Sequence, residues 1–251
     1  MHRSSHDYQY LVRRWRTLAR RVGLGLTQIA LVDGFPVYCL RSPALREQGG
    51  LYLSAGIHGD ESGSTEGLLE WANRAGPALR AMPVLVFPCL NPWGLVMNRR
   101  SDADGNDLNR LFHLDHHPTV AAVRAVAGPY QFDAAMLLHE DYDAHGVYLY
   151  ELSGRQKVGD SILNAADTVI PRDRRFRVEG RRAKDGIVQV RFSLKRFEKI
   201  GHPEAVWLHL RGCGRSITFE TPSEASLEAR VLAHAAAVDR MVRLWAGGAS
   251  R

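Results

Sequence analysis

The stretch Leu51-Tyr52-Leu53-Ser54-Ala55-Gly56-Ile57-His58-Gly59-Asp60-Glu61 holds a histidine and a glutamate three residues apart, just where an apolar run stops. Residues 51–57 read as a buried strand running into a turn. Placed there, the His58 imidazole and the Glu61 carboxylate can converge on one cation. Two such ligands and a distant second histidine make a His₂Glu zinc site with an open fourth position, as in catalytic rather than structural sites. The pair alone is common on loops and at helix starts, so its meaning rests on the rest of the chain.

Upstream, Leu11, Val12, Trp15, Leu18, Ala19 and Val22 recur at a helical period, which predicts a helix over residues 8–22 ended by Gly23 and Gly25. Asp33-Gly34 between two apolar runs predicts a hairpin, so an N-terminal helix and hairpin occupy about 8–41. Downstream come a helix over 64–74, a buried strand at Val84–Phe87, a long loop from Asn91 to Arg110, and a helix over 119–127. Strands follow at 134–138 and 146–152, with a helix from Gln156 to Thr168. Ile187 to Leu210 reads as strand, short helix and strand. Ser216–Glu220 is a last strand before a long helix over 223–244, with Ser223 as its cap. Strands alternating with helices predict one α/β domain over 1–251, a mixed, mostly parallel twisted sheet flanked by helices.

Three further clusters could carry chemistry. A loop of about 20 residues is uncommon in a compact domain and usually functional. Within it, Asn109-Arg110 suits an anionic ligand, since a guanidinium offers a carboxylate a bidentate fork. Alternatively, Asp107 and Arg110 form a local salt bridge and Asn109 caps a turn. His139 ends the apolar strand Ala135-Met136-Leu137-Leu138, at the carboxyl edge where α/β sheets bind ligands. That makes it the best third ligand. His113, His116 and His117 read as a solvated turn, and His145, His202, His209 and His234 as isolated satisfied or surface residues. Glu220 also ends a strand, and could take a proton from a zinc-bound water or simply face the last helix.

The 251 residues, 45% hydrophobic and 24% charged, are ordinary for a globular chain. No apolar run approaches the ~20 residues of a membrane span. The N-terminus lacks a secretory layout, so cytoplasmic residence and no membrane partner are expected. Cys39, Cys89 and Cys213 form no C-x-x-C pair and are expected to be reduced and buried. The net charge of +6 concentrates at Arg172–Lys184, which shows no nucleic-acid motif; it is expected to be a solvated face or loop, with no nucleic-acid partner. A basic surface would also draw anionic small substrates.

Taken together and in order, these elements resemble the zinc metallocarboxypeptidase family, the carboxypeptidase A-like enzymes, from about residue 51 to 222. The resemblance implies one zinc per chain on His58, Glu61 and His139. It aligns Asn91–Gly94 with the family's Asn-Pro-x-Gly turn, and Asp107, Asn109 and Arg110 with its Asp-x-Asn-Arg motif. Asn109 and Arg110 would then hold a substrate carboxylate, with Asp107 supporting a ligand from behind. Arg100 would polarise the scissile carbonyl, and Glu220 would be the general base. The spacing from Glu61 to His139 and the Asp-Ala-Asp-Gly lead-in to Asp107 resemble the small bacterial members that cut murein peptides. The digestive enzymes use a mobile tyrosine shortly before the base glutamate. This chain has no tyrosine after Tyr150, leaving Tyr142, Tyr148 and Tyr150 as alternatives. The expected substrate is a small peptide or amino-acid derivative with a free carboxylate. Rival readings are an N-acyl amino-acid deacylase of the aspartoacylase and succinylglutamate desuccinylase type, and a non-catalytic module that binds anionic peptides.

Overall fold

A computed structural model describes residues 5–153, 157–188, 190 and 192–248. The first amphipathic period becomes α1 (Tyr8–Arg21), capped by Asp7, whose carboxylate accepts from the Tyr10 amide. Strands β1 (Leu26–Val32) and β2 (Phe35–Arg41) form the expected hairpin. Asp33 and Gly34 both take positive φ there, the primed turn whose twist suits a two-residue connection. Next come β3 (Leu51–Ala55), α2 (Ser62–Ala75), α3 (Ala78–Ala81), β4 (Val84–Phe87) and α4 (Pro92–Met97). They are followed by α5 (Pro118–Ala127), β5 (Ala134–Asp141), β6 (Tyr148–Ser153) and α6 (Gly159–Ala166). Three short strands, β7 (Arg177–Val178), β8 (Arg181–Lys184) and β9 (Ile187–Val188), precede α7 (Leu194–Ile200) and α8 (Glu204–Leu210). Then come β10 (Arg215–Pro222) and α9 (Leu227–Gly248).

Among the described residues ten strands form one sheet, ordered β1-β2-β4-β3-β5-β10-β6-β9-β8-β7. Its centre, β4-β3-β5-β10, is parallel, and β6–β9 is the other parallel pair. The remaining pairings are antiparallel. The sheet is therefore mixed, and the mostly parallel character expected from sequence belongs to its centre. Parallel neighbours need crossovers long enough for helices, as between β3, β4 and β5, whereas the flanking hairpins close over two residues. Leu51, Leu53 and Ala55 pack toward α1, α2 and α9, while Tyr52 packs toward α5 and α8. Both faces are thus covered, which is why the central strands read as continuous apolar runs.

Asn91 to Arg110 is not one irregular loop. Asn91 caps α4, its Oδ1 accepting from Gly94 N at 2.9 Å, with Pro92 in the first turn. Asp107 starts a 3₁₀ turn over Leu108–Arg110, so only residues 98–107 lack regular structure. The second strand expected within 187–210 is the helix α8, where Val206 and Leu208 are buried; short apolar runs fit either form. The basic stretch is not merely a solvated face, because it contains the β7–β8 hairpin. Its Arg172 is buried and donates to Asp160, Asn164 and the Asp185 carbonyl. Ser226 rather than Ser223 caps α9, its Oγ accepting from Ala229 N at 3.2 Å. The helix expected from Gln156 is Gly159–Ala166, and Gln156 itself lies outside the described residues. All three cysteines are free and buried.

Candidate metal centre

Strands β3, β5 and β10 lie side by side and end at the same edge of the sheet. After β3, Gly56 at φ +62 turns the chain toward α2. Gly59 then passes so close to α4 that a Cβ there would sit 1.9 Å from the Gly94 carbonyl carbon. That contact fixes the turn carrying His58. Glu61 occupies the N-cap position of α2, yet its carboxylate makes no capping bond and is directed into the site instead. On the neighbouring strands His139 and Glu220 stand opposite each other in register.

His58 Nδ1 lies 2.6 Å from Glu61 Oε1, and His139 Nδ1 lies 3.0 Å from Glu61 Oε2 and 3.2 Å from His58 Nδ1. The three residues offer donor atoms that all lie within 4.8 Å of one another, and all three are buried. Despite its nearness to His139, Glu61 Oε2 makes no hydrogen bond. Two ring nitrogens turned on one carboxylate with a buried orphan oxygen are the donor set a divalent cation would satisfy. Two nitrogens and one oxygen, without sulfur, fit zinc. His58 Nε2 faces away, 3.0 Å from Asp107 Oδ1. A carboxylate behind a ligating imidazole sets its tautomer and orientation.

Burial draws both imidazoles toward the neutral form, but the Glu61 charge, joined at His58 by hydrogen bonds to Asp107 and Glu61, outweighs it. His58 is left at about 9, and His139 is also raised. Burial also opposes ionised Glu61, yet the two rings hold it well below the usual carboxylate range. Asp107 behaves likewise: the His58 hydrogen bond and charge, with Arg100, overcome burial and keep it ionised. Glu220 moves the other way. Burial pushes its carboxyl well up, His139 relieves this in part, and Glu61, Glu179 and Asp141 reinforce it. Strongly displaced groups gathered in one cleft mark a functional site.

Arg100 stands 3.2 Å from Asp107 Oδ2 and 3.6 Å from Glu61 Oε1. Asn109 Oδ1 accepts from the Glu204 amide at 2.9 Å. Arg110 Nη1 bonds the Asn109 carbonyl at 2.8 Å and lies 4.0 Å from Asp107. The local Asp107–Arg110 pairing read from sequence therefore exists, but it is long. Arg100, Asn109, Arg110 and Glu220 line the same cleft of about 320 Å³ as the His58, Glu61 and His139 cluster. Tyr142, Tyr148 and Tyr150 also reach it. Tyr148 donates to Asp141 at 2.9 Å and Tyr150 donates to Glu179, whereas Tyr142 is exposed at the rim.

Several residues in or beside the cleft went unrecognised in the sequence. Glu140, next to His139, is buried and receives Arg230 Nη1 at 2.6 Å, tying α9 to the end of β5. Glu204 is fully buried and accepts from Tyr52 and, at 2.9 Å, from Ser54 of β3. Burial lifts it to about 7 against those hydrogen bonds. Its only sequence signal was an acidic residue opening an apolar segment. His117, expected in a solvated turn, is buried and pairs with Asp102 at 2.9 Å, which pins the loop carrying Arg100 and Asp107. His234, expected to be a satisfied or surface histidine, is the former: it is buried and meets Thr221 at 3.1 Å.

Residues 47–135 match the profile of the succinylglutamate desuccinylase/aspartoacylase catalytic domain. Murein peptide amidase A of Escherichia coli K12 is 39% identical over 79 residues, a segment spanning 32% of this chain and 31% of that relative. A metallopeptidase candidate from Shewanella amazonensis shares the fold at TM-score 0.84 and 23% identity, over 96% of this chain and 94% of that one. A metallo-carboxypeptidase from Burkholderia cenocepacia superposes at TM-score 0.71 and 18% identity, over 94% and 68%. The murein-tripeptide amidase of Escherichia coli O157 superposes at 0.58 and 20% identity, over 87% and 92%. At these identities the solved structures speak for the fold. The chain thus shares the fold of these metallopeptidases and carboxypeptidases, and about a third of it is similar in sequence to murein peptide amidase A and to the succinylglutamate desuccinylase/aspartoacylase catalytic domain.

Proposed function

We propose that this chain is a zinc-dependent hydrolase that cleaves an amide bond next to a free carboxylate, acting on peptides of the murein type. The observation carrying this reading is the convergence of two imidazole nitrogens on the two oxygens of the buried Glu61 carboxylate, beside the buried Glu220, in one cleft. His58, Glu61 and His139 would hold the metal, and Asp107 would keep His58 in the tautomer that presents Nδ1. The zinc ion would supply Lewis acidity for the carbonyl and for the attacking water. Glu220 takes the proton from that water and returns it to the leaving amine, a task suited to a buried carboxyl with a raised pKa. Arg100 donates to the oxyanion that develops on the carbonyl. Arg110 and the Asn109 amide anchor the substrate carboxylate; the Glu204 amide holds Asn109 Oδ1, which leaves the Asn109 NH₂ for the cleft.

Among the described residues no helix is long and apolar enough to cross a membrane. We place the activity in the cytoplasm, supported by three free, buried cysteines, with neither nucleic acid nor membrane as partner. A second reading, N-acyl amino-acid deacylation, is favoured by the profile match over 47–135. Assaying the zinc-loaded protein on C-terminal peptides, a murein tripeptide and N-acyl amino acids separates the two. Turnover of the tripeptide or peptides supports the proposal. Turnover of N-acyl amino acids alone selects the deacylase, and none at all selects a binding module.

A further inference from the structure

The carboxylate anchor proposed above stands on a turn too short to fix its own side chains. Leu108–Arg110 is a single 3₁₀ turn in which only Leu108 is buried, and Asn109 and Arg110 line the cleft from it. What holds this turn arrives 95 residues later, in the link between α7 and α8. There Gly201, at φ +83, passes so close that a Cβ would sit 2.3 Å from the Arg110 carbonyl oxygen and 2.9 Å from the Arg110 Cβ. Only glycine accepts both that backbone and that approach. The His202 carbonyl accepts from Phe112 N at 3.1 Å, and the Glu204 amide donates to Asn109 Oδ1 at 2.9 Å. The link thus meets residues 109–112 at three points.

The link is itself short and irregular, and Glu204 ties it to the sheet. Its carboxylate is fully buried and accepts from the Tyr52 hydroxyl and, at 2.9 Å, from Ser54 Oγ. A buried carboxyl is costly unless it is hydrogen-bonded, and here each oxygen has one hydroxyl. Neither hydroxyl is free to drift. Tyr52 packs against Phe87 and Phe132, with ring centroids 5.2 and 5.3 Å away. Ser54 pairs with Phe87 and Leu137 in the parallel centre of the sheet. β3 is also the strand that leads to His58. Through its side chain and its backbone, one residue joins that strand to the amide that orients Asn109. Pro203 and Ala205 line the cleft on either side of it, while Glu204 points away into the core.

We propose that Glu204 is a positioning residue: clamped to β3 by Tyr52 and Ser54, it fixes the Asn109–Arg110 anchor relative to the metal centre. This rests on the carboxylate-anchoring reading above and extends it from the groups that bind the carboxylate to what holds them in place.

Calorimetric titration separates this from a purely structural role. The probe is a murein tripeptide with its C-terminal α-carboxylate free or amidated, titrated into zinc-loaded protein carrying Glu220→Gln, so that binding is read without turnover. That parent should prefer the free form by about 10- to 100-fold, the range of a hydrogen bond to a charged group. Adding Glu204→Met, which fills the space but breaks the clamp, should bring the ratio close to one and leave affinity for the amidated form unchanged. Adding Glu204→Gln, which can still pair with both hydroxyls, should keep the parent ratio. Ser54→Ala removes one of the two bonds without touching α8 and should lower the ratio in part, which decides the matter if Glu204→Met does not fold. A ratio that survives Glu204→Met, or Ser54→Ala in its place, overturns the inference and leaves Glu204 a packing residue only. Equal losses in Glu204→Gln and Glu204→Met overturn it too, because the clamp is then not what matters. A parent that ignores amidation removes the anchoring reading, and this inference with it. That result is read before any change at Glu204, so the two failures are distinguishable.

Discussion

The floor of the cleft and its walls are built by different means. On the floor, His58, Glu61, His139 and Glu220 sit at the ends of parallel central strands, and each is under a tenth exposed. Their positions are over-determined by the β5–β10 register, the Gly59–Gly94 contact and the covered sheet faces. The wall residues Arg100, Arg110 and Arg181 are partly exposed and stand on a loop, a 3₁₀ turn and a late hairpin. On the floor close charges in a buried setting displace all four of these groups, His58, His139 and Glu61 against the direction of burial and Glu220 along it, while on the walls solvent screens the charges. The proposed chemistry would thus sit in a buried layer at the sheet's centre, and the charged residues of the wall stand on a loop, a turn and the sheet's far edge. This contrast orders the effects expected of substitutions.

The largest effect should come from the floor. His58→Ala or His139→Ala would take one of the three proposed ligands, so the purified protein should lose its zinc and its activity together. Elemental analysis showing full occupancy in both variants would remove the metal assignment. In the intact site zinc competes with protons on rings raised by Glu61, His58 to about 9, so affinity should tighten as pH rises from 6 toward 9. Next is Glu220→Gln, which should keep shape and zinc but remove the proposed base, lowering turnover by about 10²- to 10⁴-fold. Retained zinc with near-wild-type turnover would make Glu220 a bystander.

On the wall the effects should be smaller. Arg110→Ala should lower kcat/KM by about 10- to 100-fold on a free-carboxylate substrate, the range of a hydrogen bond to a charged group. Amidating that carboxylate should cost the wild type a similar amount and the variant little more, since both changes remove one contact. Additive losses would show that Arg110 touches something else.

The smallest effect concerns the boundary between floor and wall, where Glu204 of α8 reaches β3. Its carboxyl sits at about 7 in the fold against an ordinary 4.5. Between those values the folded protein keeps a proton that the unfolded chain has released. Stability should therefore fall as pH rises from about 4.5 to about 7 and level off above. Glu204→Gln should flatten that slope, read as urea midpoints at pH 5 and pH 7.5. Parallel profiles for the two proteins would mean that Glu204 is ionised in the fold.

Parallel central strands bury both faces, so they must be apolar throughout, and a polar residue at their ends stands out. For that reason the strands before His58, His139 and Glu220 were legible in the residues alone, as were α1 and the Asp33-Gly34 hairpin. The local pattern carried the position of each of these residues, because strand and turn geometry act over a few neighbours. What they meet was decided by the tertiary structure. The pairing of Glu140 with Arg230 spans 90 residues and that of Glu204 with Ser54 spans 150, and no local period encodes such contacts. The inward turn of Arg181 likewise depends on which face of a four-residue strand lands on Tyr150. A one-residue slip would reverse that face, and in so short a strand only packing against the rest of the fold sets the register.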